Sequence, residues 1–220
     1  MKRLIPLLLS LWLLPLACAD LPRIEGPARM EAVKPSDSCA RIFPQGRWEL
    51  VHTIEADFPG GRRQLLMGVS RISSTERTVH CVLMTLEGLV LFDARHDGQL
   101  AINRAVPPFT GMALAQGMID DIALLFFAPQ SPCREAGFLP NGNYVCRYAV
   151  GDGTEDILPM PGMGWEIHRY DAGHNLIRSV TAEIGASPYG ERVAERLELN
   201  AAGAAEYRLV LTLVEATQLK

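Results

Sequence analysis

Two stretches of this chain alternate apolar and polar residues for about a dozen positions, and that alternation constrains the fold more than any other feature. In RWELVHTIEADF, starting at Arg47, the even positions Trp48, Leu50, Ile54, Ala56 and Phe58 are apolar, and Arg47, Glu49, Thr53, Glu55 and Asp57 are polar. In YRLVLTLVEATQL, Tyr207, Leu209, Leu211 and Leu213 alternate with Arg208, Val210 and Thr212. Successive side chains on a strand point to opposite faces, so a period of two means a long strand with one face buried.

Further strands follow the first closely. Pro59-Gly60-Gly61 makes a turn, and Gln64–Ile72, Thr78–Thr85, Leu89–Ala94 and Leu100–Val106 read as strands. Asp97-Gly98 has the chemistry of a tight hairpin. The period then changes. TGMALAQGMIDDIALLFFAP carries Ala115, Met118, Ile119, Ile122, Leu125 and Phe126 on one helical stripe. Thr110 can cap its start, and Pro129 lies beyond its end. Strands resume at Tyr144–Val150, Trp165–Tyr170, Asn175–Ile184, Arg192–Leu199 and Glu206–Ala216, with ILPMPGMGW read as a loop. The expected fold is mainly β: a curled antiparallel sheet of about 10–11 strands, a half-barrel, because long twisted sheets rarely stay flat. The inserted helix, about Gly111 to Phe127, is expected as a lid on the concave face.

The N-terminus reads as an export signal, residues 1–19. Lys2 and Arg3 precede an apolar run from Leu4 to Leu16 that is short for a bilayer span. Ala17-Cys18-Ala19 fits ordinary signal peptidase. Leu16-Ala17-Cys18 also resembles a lipobox, with Cys18 the lipidated residue, although Pro15 stands where a leucine is preferred. Both routes stay open. Residues 20–46 contain Pro22, Pro27, Pro35 and Pro44 and read as a tether with a helical turn around Ala28–Val33; residues 47–220 form the domain. Cys39, Cys81, Cys133 and Cys146 remain, an even number that suits an oxidising compartment. Four cysteines allow three pairings. Cys133–Cys146, which would close a short loop, and Cys39–Cys81 are the expected pair. Net charge is −4 without charged runs, which argues against a nucleic-acid partner.

Catalytic motifs are lacking. GxSxG, HExxH, P-loop and GxGxxG patterns do not occur. His168, Asp171 and His174 sit close in sequence, but Asp171-Ala172-Gly173 reads as a solvated turn. Asp120 and Asp121 are adjacent on a helix and diverge. Glu155 and Asp156 read as a charged surface loop. His52 falls on the apolar face of the first strand, as a core or cavity-edge histidine. No enzyme activity, metal or cofactor is expected.

The order of signal, tether, five-strand meander, helix and remaining strands resembles the LolA/LolB-like half-barrel of bacterial outer-membrane lipoprotein handling, in particular a LolB-like group of lipoproteins. CVLMTLEGLVLFDARHDGQLAI resembles that group's strand–turn–strand–turn segment, and YRLVLTLVEATQL its closing strand. The resemblance implies a hydrophobic cavity that takes up acyl chains or lipoproteins for transport or insertion of lipidated cargo. Candidate lining residues are Trp48, Leu50, Leu83, Leu91, Met118, Ile122, Phe126, Leu209 and Leu211, although a one-residue slip would invert which parity faces in. Leu86, in the turn Leu86-Glu87-Gly88, matches a leucine that protrudes toward the membrane in the receptor. The resemblance further implies a monomer on the periplasmic side of the outer membrane, held by a lipid on Cys18; a soluble periplasmic product is the alternative. A structural or assembly lipoprotein whose cup is filled by its own side chains is the competing function.

Overall fold

The alternation in the first strand becomes one face of a large sheet. A computed structural model describes residues 20–26, 39–185, 193–203 and 206–220. Twelve strands run in the order β1 (Arg47–Phe58), β2 (Arg62–Ser73), β3 (Thr78–Thr85), β4 (Val90–His96), β5 (Leu100–Ala105), then helix α1 (Met112–Phe126), β6 (Cys133–Phe138), β7 (Tyr144–Val150), β8 (Gly153–Met160), β9 (Gly164–Tyr170), β10 (Leu176–Glu183), β11 (Arg196–Ala201) and β12 (Tyr207–Leu219). They form a single antiparallel sheet, ordered β5-β4-β3-β2-β1-β12-β11-β10-β9-β8-β7-β6. The chain therefore starts mid-sheet, meanders to one edge, crosses to the other through α1, and meanders back. The sheet curls without closing, with β5 and β6 as its edges.

Cross-strand register decides which face is which. Leu50 opposes Ser70 and Ala216, and Ile54 opposes Leu66 and Leu211. From there the row Leu209, Leu199, Val180, Ile167, Ile157 and Cys146 continues across six strands. These residues make the concave face, and most are buried. The convex face is polar around β1, where Glu49 pairs with Arg71, Glu55 with Arg63, and Asp57 with Arg208.

Several expectations change. Strands β6 and β8 occupy stretches whose composition predicts loop. Glu155 and Asp156 lie in β8 and are each 1% exposed, not surface charges. Asp156 accepts two 2.7 Å bonds from Arg147, and Glu155 accepts bonds of 2.6 and 3.1 Å from Arg169. An Arg–carboxylate fork satisfies both groups at once, which lets a strand carry charge inward. The helix is capped at Gly111 with no side-chain cap bond, so Thr110 does not cap it. Part of the expected tether belongs to the folded domain. Cys39, Ile42 and Phe43 are buried, and Phe43 packs 6.1 Å from the Trp165 ring. Arg147 donates to Pro22 O at 2.8 Å, and Glu25 bridges to Phe138 on the β6 edge. The signal segment with Cys18, the turn at 28–33 and the expected strand start at Arg192 lie outside the described residues.

The disulfide framework also differs. Cys39 is bonded to Cys146, while Cys81 and Cys133 are free. Cys133 opposes Tyr148 and Cys146 opposes Ala136, so the two cysteines on β6 and β7 are staggered along their strands instead of facing. Cys81 sits on β3, in the other half of the sheet from the β7–β9 region where Cys39 docks. Burial pushes the Cys81 thiol up to about 12, so it stays protonated and behaves as a small apolar group. Non-reducing peptide mapping should recover one linked pair, Cys39–Cys146. Alkylation of the native protein should label Cys133 and reach Cys81 only in denaturant; fast native labelling of Cys81 would contradict its burial.

Candidate hydrophobic binding site

Helix α1 lies against the concave face, and a cavity of about 90 Å³ remains between them. Its floor comes from β1 to β3 and β12, and its roof from the helix. Of the residues expected to line it, Leu83, Met118, Ile122, Phe126, Leu209 and Leu211 do so. Trp48 and Leu50 share the concave parity but are buried in the core away from the cavity, and Leu91 packs partly buried against that core. Trp48 Nε1 donates to Gln45 O at 2.9 Å, which turns the indole toward the N-terminal segment. The cavity is far smaller than the roughly 300–1,000 Å³ of ordinary ligand clefts. The cup is therefore mostly self-filled, by the helix and by residues 39–46.

Polar groups also reach this site. His52, Ser70, Cys81 and Asp121 are among its walls. His52 is 3% exposed and its ring lies 6.0 Å from that of Phe126. Burial pulls its pKa down to about 4, so the imidazole is neutral at physiological pH. Asp120 and Asp121 do diverge: Asp120 is exposed, and Asp121 is buried. Its carboxylate accepts a 3.1 Å bond from Arg178 Nε on β10 and a bond from the Tyr207 hydroxyl on β12. Arg178 also stacks 5.4 Å over the Tyr207 ring. Burial raises the Asp121 pKa, against the pull of Tyr207 and Arg178. This triad ties the helix to the far half of the sheet. The signal for it was present in sequence: Met118 and Leu125, three before and four after Asp121, put it on the apolar stripe.

Helix α1 has no side-chain cap at its start and no charged residue matched to its dipole at either end. It has no acidic residue in its first turn and no basic residue in its last. Both would stabilise it through the helix dipole. Its C-terminal end is held from outside, where Arg77 donates to Ala128 O at 2.9 Å and sits 5.0 Å over the Phe127 ring.

One end of the sheet is apolar and exposed. Leu86 is 50% exposed and Leu89 55%, in the turn between β3 and β4. Gly88 takes φ +88°, a left-handed backbone that favours glycine and lets this short turn close. Leu65 precedes Leu66, the partner of Thr85, and is also exposed, so it lies at the same end. The histidines farther along do not assemble a site. His168 pairs with Glu166 at 3.5 Å, and His174 is exposed in the turn that Asp171 holds through Gly173 N and Asn175 N. Among the described residues, no group of three or more His, Cys, Asp or Glu is placed to hold a metal, and no helix is long and apolar enough to cross a membrane.

No protein-family model matches the sequence, and no similar curated protein is found. Solved structures do resemble it. A LolA superfamily protein from Nitrosomonas europaea superposes with a TM-score of 0.56 at 12% identity, over 86% of this chain and 95% of the other. A domain from Vibrio parahaemolyticus named for outer-membrane lipoprotein sorting gives 0.45 at 9% identity, over 82% and 88%, too loose a likeness to argue from. With its unclosed twelve-stranded sheet and its helix on the concave side, the protein has the LolA/LolB-like fold.

Proposed function

We propose that the protein is a non-enzymatic lipid handler that takes acyl chains, free or on lipoproteins, under helix α1. It works on the periplasmic side of the outer membrane, anchored through Cys18. The observation that supports this best is a cavity walled mainly by leucine, isoleucine, methionine and phenylalanine, beneath a helix whose N-terminus has no side-chain cap. Each methylene moved out of water there contributes about 0.8 kcal/mol, so a chain needs no specific contacts to bind. The present volume fits a closed state, and uptake requires the helix to move outward against the Asp121 tie. Met118 suits such a wall, because its side chain repacks easily. The exposed Leu65, Leu86 and Leu89 rim offers a patch for membrane contact.

The 90 Å³ volume itself favours a second reading, a structural lipoprotein with no ligand. A fluorescent fatty-acid probe separates the two. The mature protein should bind it saturably, and Phe126→Ala, which enlarges the cavity, should bind it several-fold more tightly. Leu86→Glu should leave probe binding unchanged and lower association with lipid vesicles about tenfold, since one buried leucine is worth roughly 1.5–3 kcal/mol. No probe binding by either wild type or Phe126→Ala would leave the self-filled reading standing.

A further inference from the structure

His52 is a feature that a plain acyl chain does not explain. It faces the cavity from β1, opposite Gly68 on β2 and Leu213 on β12. Its Nε2 is buried and has no hydrogen-bond partner. Most buried polar atoms in folded proteins are paired, and one left unpaired costs free energy that leucine or phenylalanine at the same position would not. The space above Gly68 is taken by Ile54, whose Cδ1 lies 2.7 Å from where a Cβ would stand, so room for a partner comes from the cavity that His52 itself lines. On the neighbouring strands Ser70 and Cys81 oppose each other and line the same cavity. His52 and Ser70 thus put two polar groups side by side on β1 and β2, on an otherwise apolar floor.

The partner's chemistry follows from these groups. A carboxylate would have to shed its water among Leu83, Leu209 and Leu211 with no cation on the floor to receive it. A carbonyl accepts only, and so fits one tautomer of the ring. A hydroxyl both donates and accepts, and fits either. We propose that the cavity is built for a hydroxylated acyl chain, whose hydroxyl pairs with His52 Nε2 when the chain lies under the helix. The neutral state of the buried imidazole agrees with an uncharged partner. This inference rests on the acyl-binding reading above and specifies its ligand.

Displacement of the fluorescent fatty-acid probe from the mature protein tests it, with methyl myristate and a positional series of its monohydroxy derivatives as competitors. At least one hydroxylated ester should compete about tenfold better than methyl myristate, the worth of one good hydrogen bond in a dry site. His52→Leu should bring that ratio to about one, and His52→Gln should retain part of it. Equal competition by every ester in the wild type overturns the hydroxyl proposal and leaves acyl binding intact. Absence of probe binding overturns both. Should His52→Leu fail to fold, the Nε2 nitrogen shift in the wild type gives the answer. It should move with the preferred hydroxylated ester and stay with methyl myristate; no difference between the two rejects the proposal.

Discussion

Cys39→Ala is expected to cost about 4–5 kcal/mol of stability and to lower Tm by roughly 10–20 °C. The bond to Cys146 closes a loop of 107 residues. In the chain-entropy account, cross-links across long loops restrict the unfolded chain most. The native geometry adds a local reason. Residues 39–46 have little regular structure, and Phe43 against Trp165 and this bond join them to the β7–β9 half. The double variant Cys39→Ala/Cys146→Ala should be nearly as stable as either single one, because the bond is lost only once. Dithiothreitol should shift the wild type by a similar amount and leave the variants unmoved. Cys133→Ser, at an unbonded and part-exposed position, should change stability little. Additive losses in the double variant, or a shift of under 1 kcal/mol in the single one, would show that the bond does not carry the segment.

Why the cysteines misled the sequence reading is a matter of topology. Pairing by proximity along the chain favoured Cys133 with Cys146. Yet adjacent antiparallel strands bring together only residues in register, and here the register is offset. The partner of Cys146 arrives from 107 residues away, because a chain that starts mid-sheet can fold its N-terminal segment back over either half. Strands β1 and β12 were legible because each is wet on one face, and burial on the other imposes the period of two. Strand β8 was not. Its residues 155–158 are all buried, so alternation vanishes, and Glu155 and Asp156 are charges made tolerable by Arg169 and Arg147, which the sequence places 14 and 9 residues away. Strand β6 is an edge with Arg134 and Glu135 exposed, a composition that looks like loop.

The site was legible in kind and less so in detail. The helical stripe put Met118, Ile122 and Phe126 over the sheet, where the structure has them. How much space lies beneath depends on how far residues 39–46 and the helix enter the cup, and no pattern in the sequence measures that. The size matters for mechanism. Under the proposed function, a cavity this small admits a chain only if the helix lifts. Asp121 is central to that step, since opening the helix would take its carboxylate away from Arg178 and Tyr207 and return it to water.

Acid should destabilise the wild type relative to His52→Leu by about 3 kcal/mol between pH 6.5 and pH 4. In the unfolded chain the imidazole takes up a proton below its ordinary value of 6.5, whereas in the folded protein burial keeps it neutral down to about 4. Between those values the unfolded state binds more protons, so stability falls as pH falls, and above 6.5 the contribution is constant. Other buried groups act in the opposite sense. Asp121 and Glu155 have their carboxyl pKa values raised by burial, so protonation on acidification favours the folded state at those positions. The wild-type profile alone therefore mixes opposing slopes, and the difference from His52→Leu isolates the histidine. Urea denaturation of both proteins from pH 8 to pH 4 should give curves that run parallel above pH 6.5 and diverge below it. His52→Leu should also be the more stable protein at pH 8, because it removes an unpaired buried nitrogen without opening a large cavity. Parallel curves across the whole range would mean that His52 takes up its proton equally well in the folded state. The cavity floor would then be wetter than its leucines suggest, and the neutral partner inferred for Nε2 would lose its physical basis.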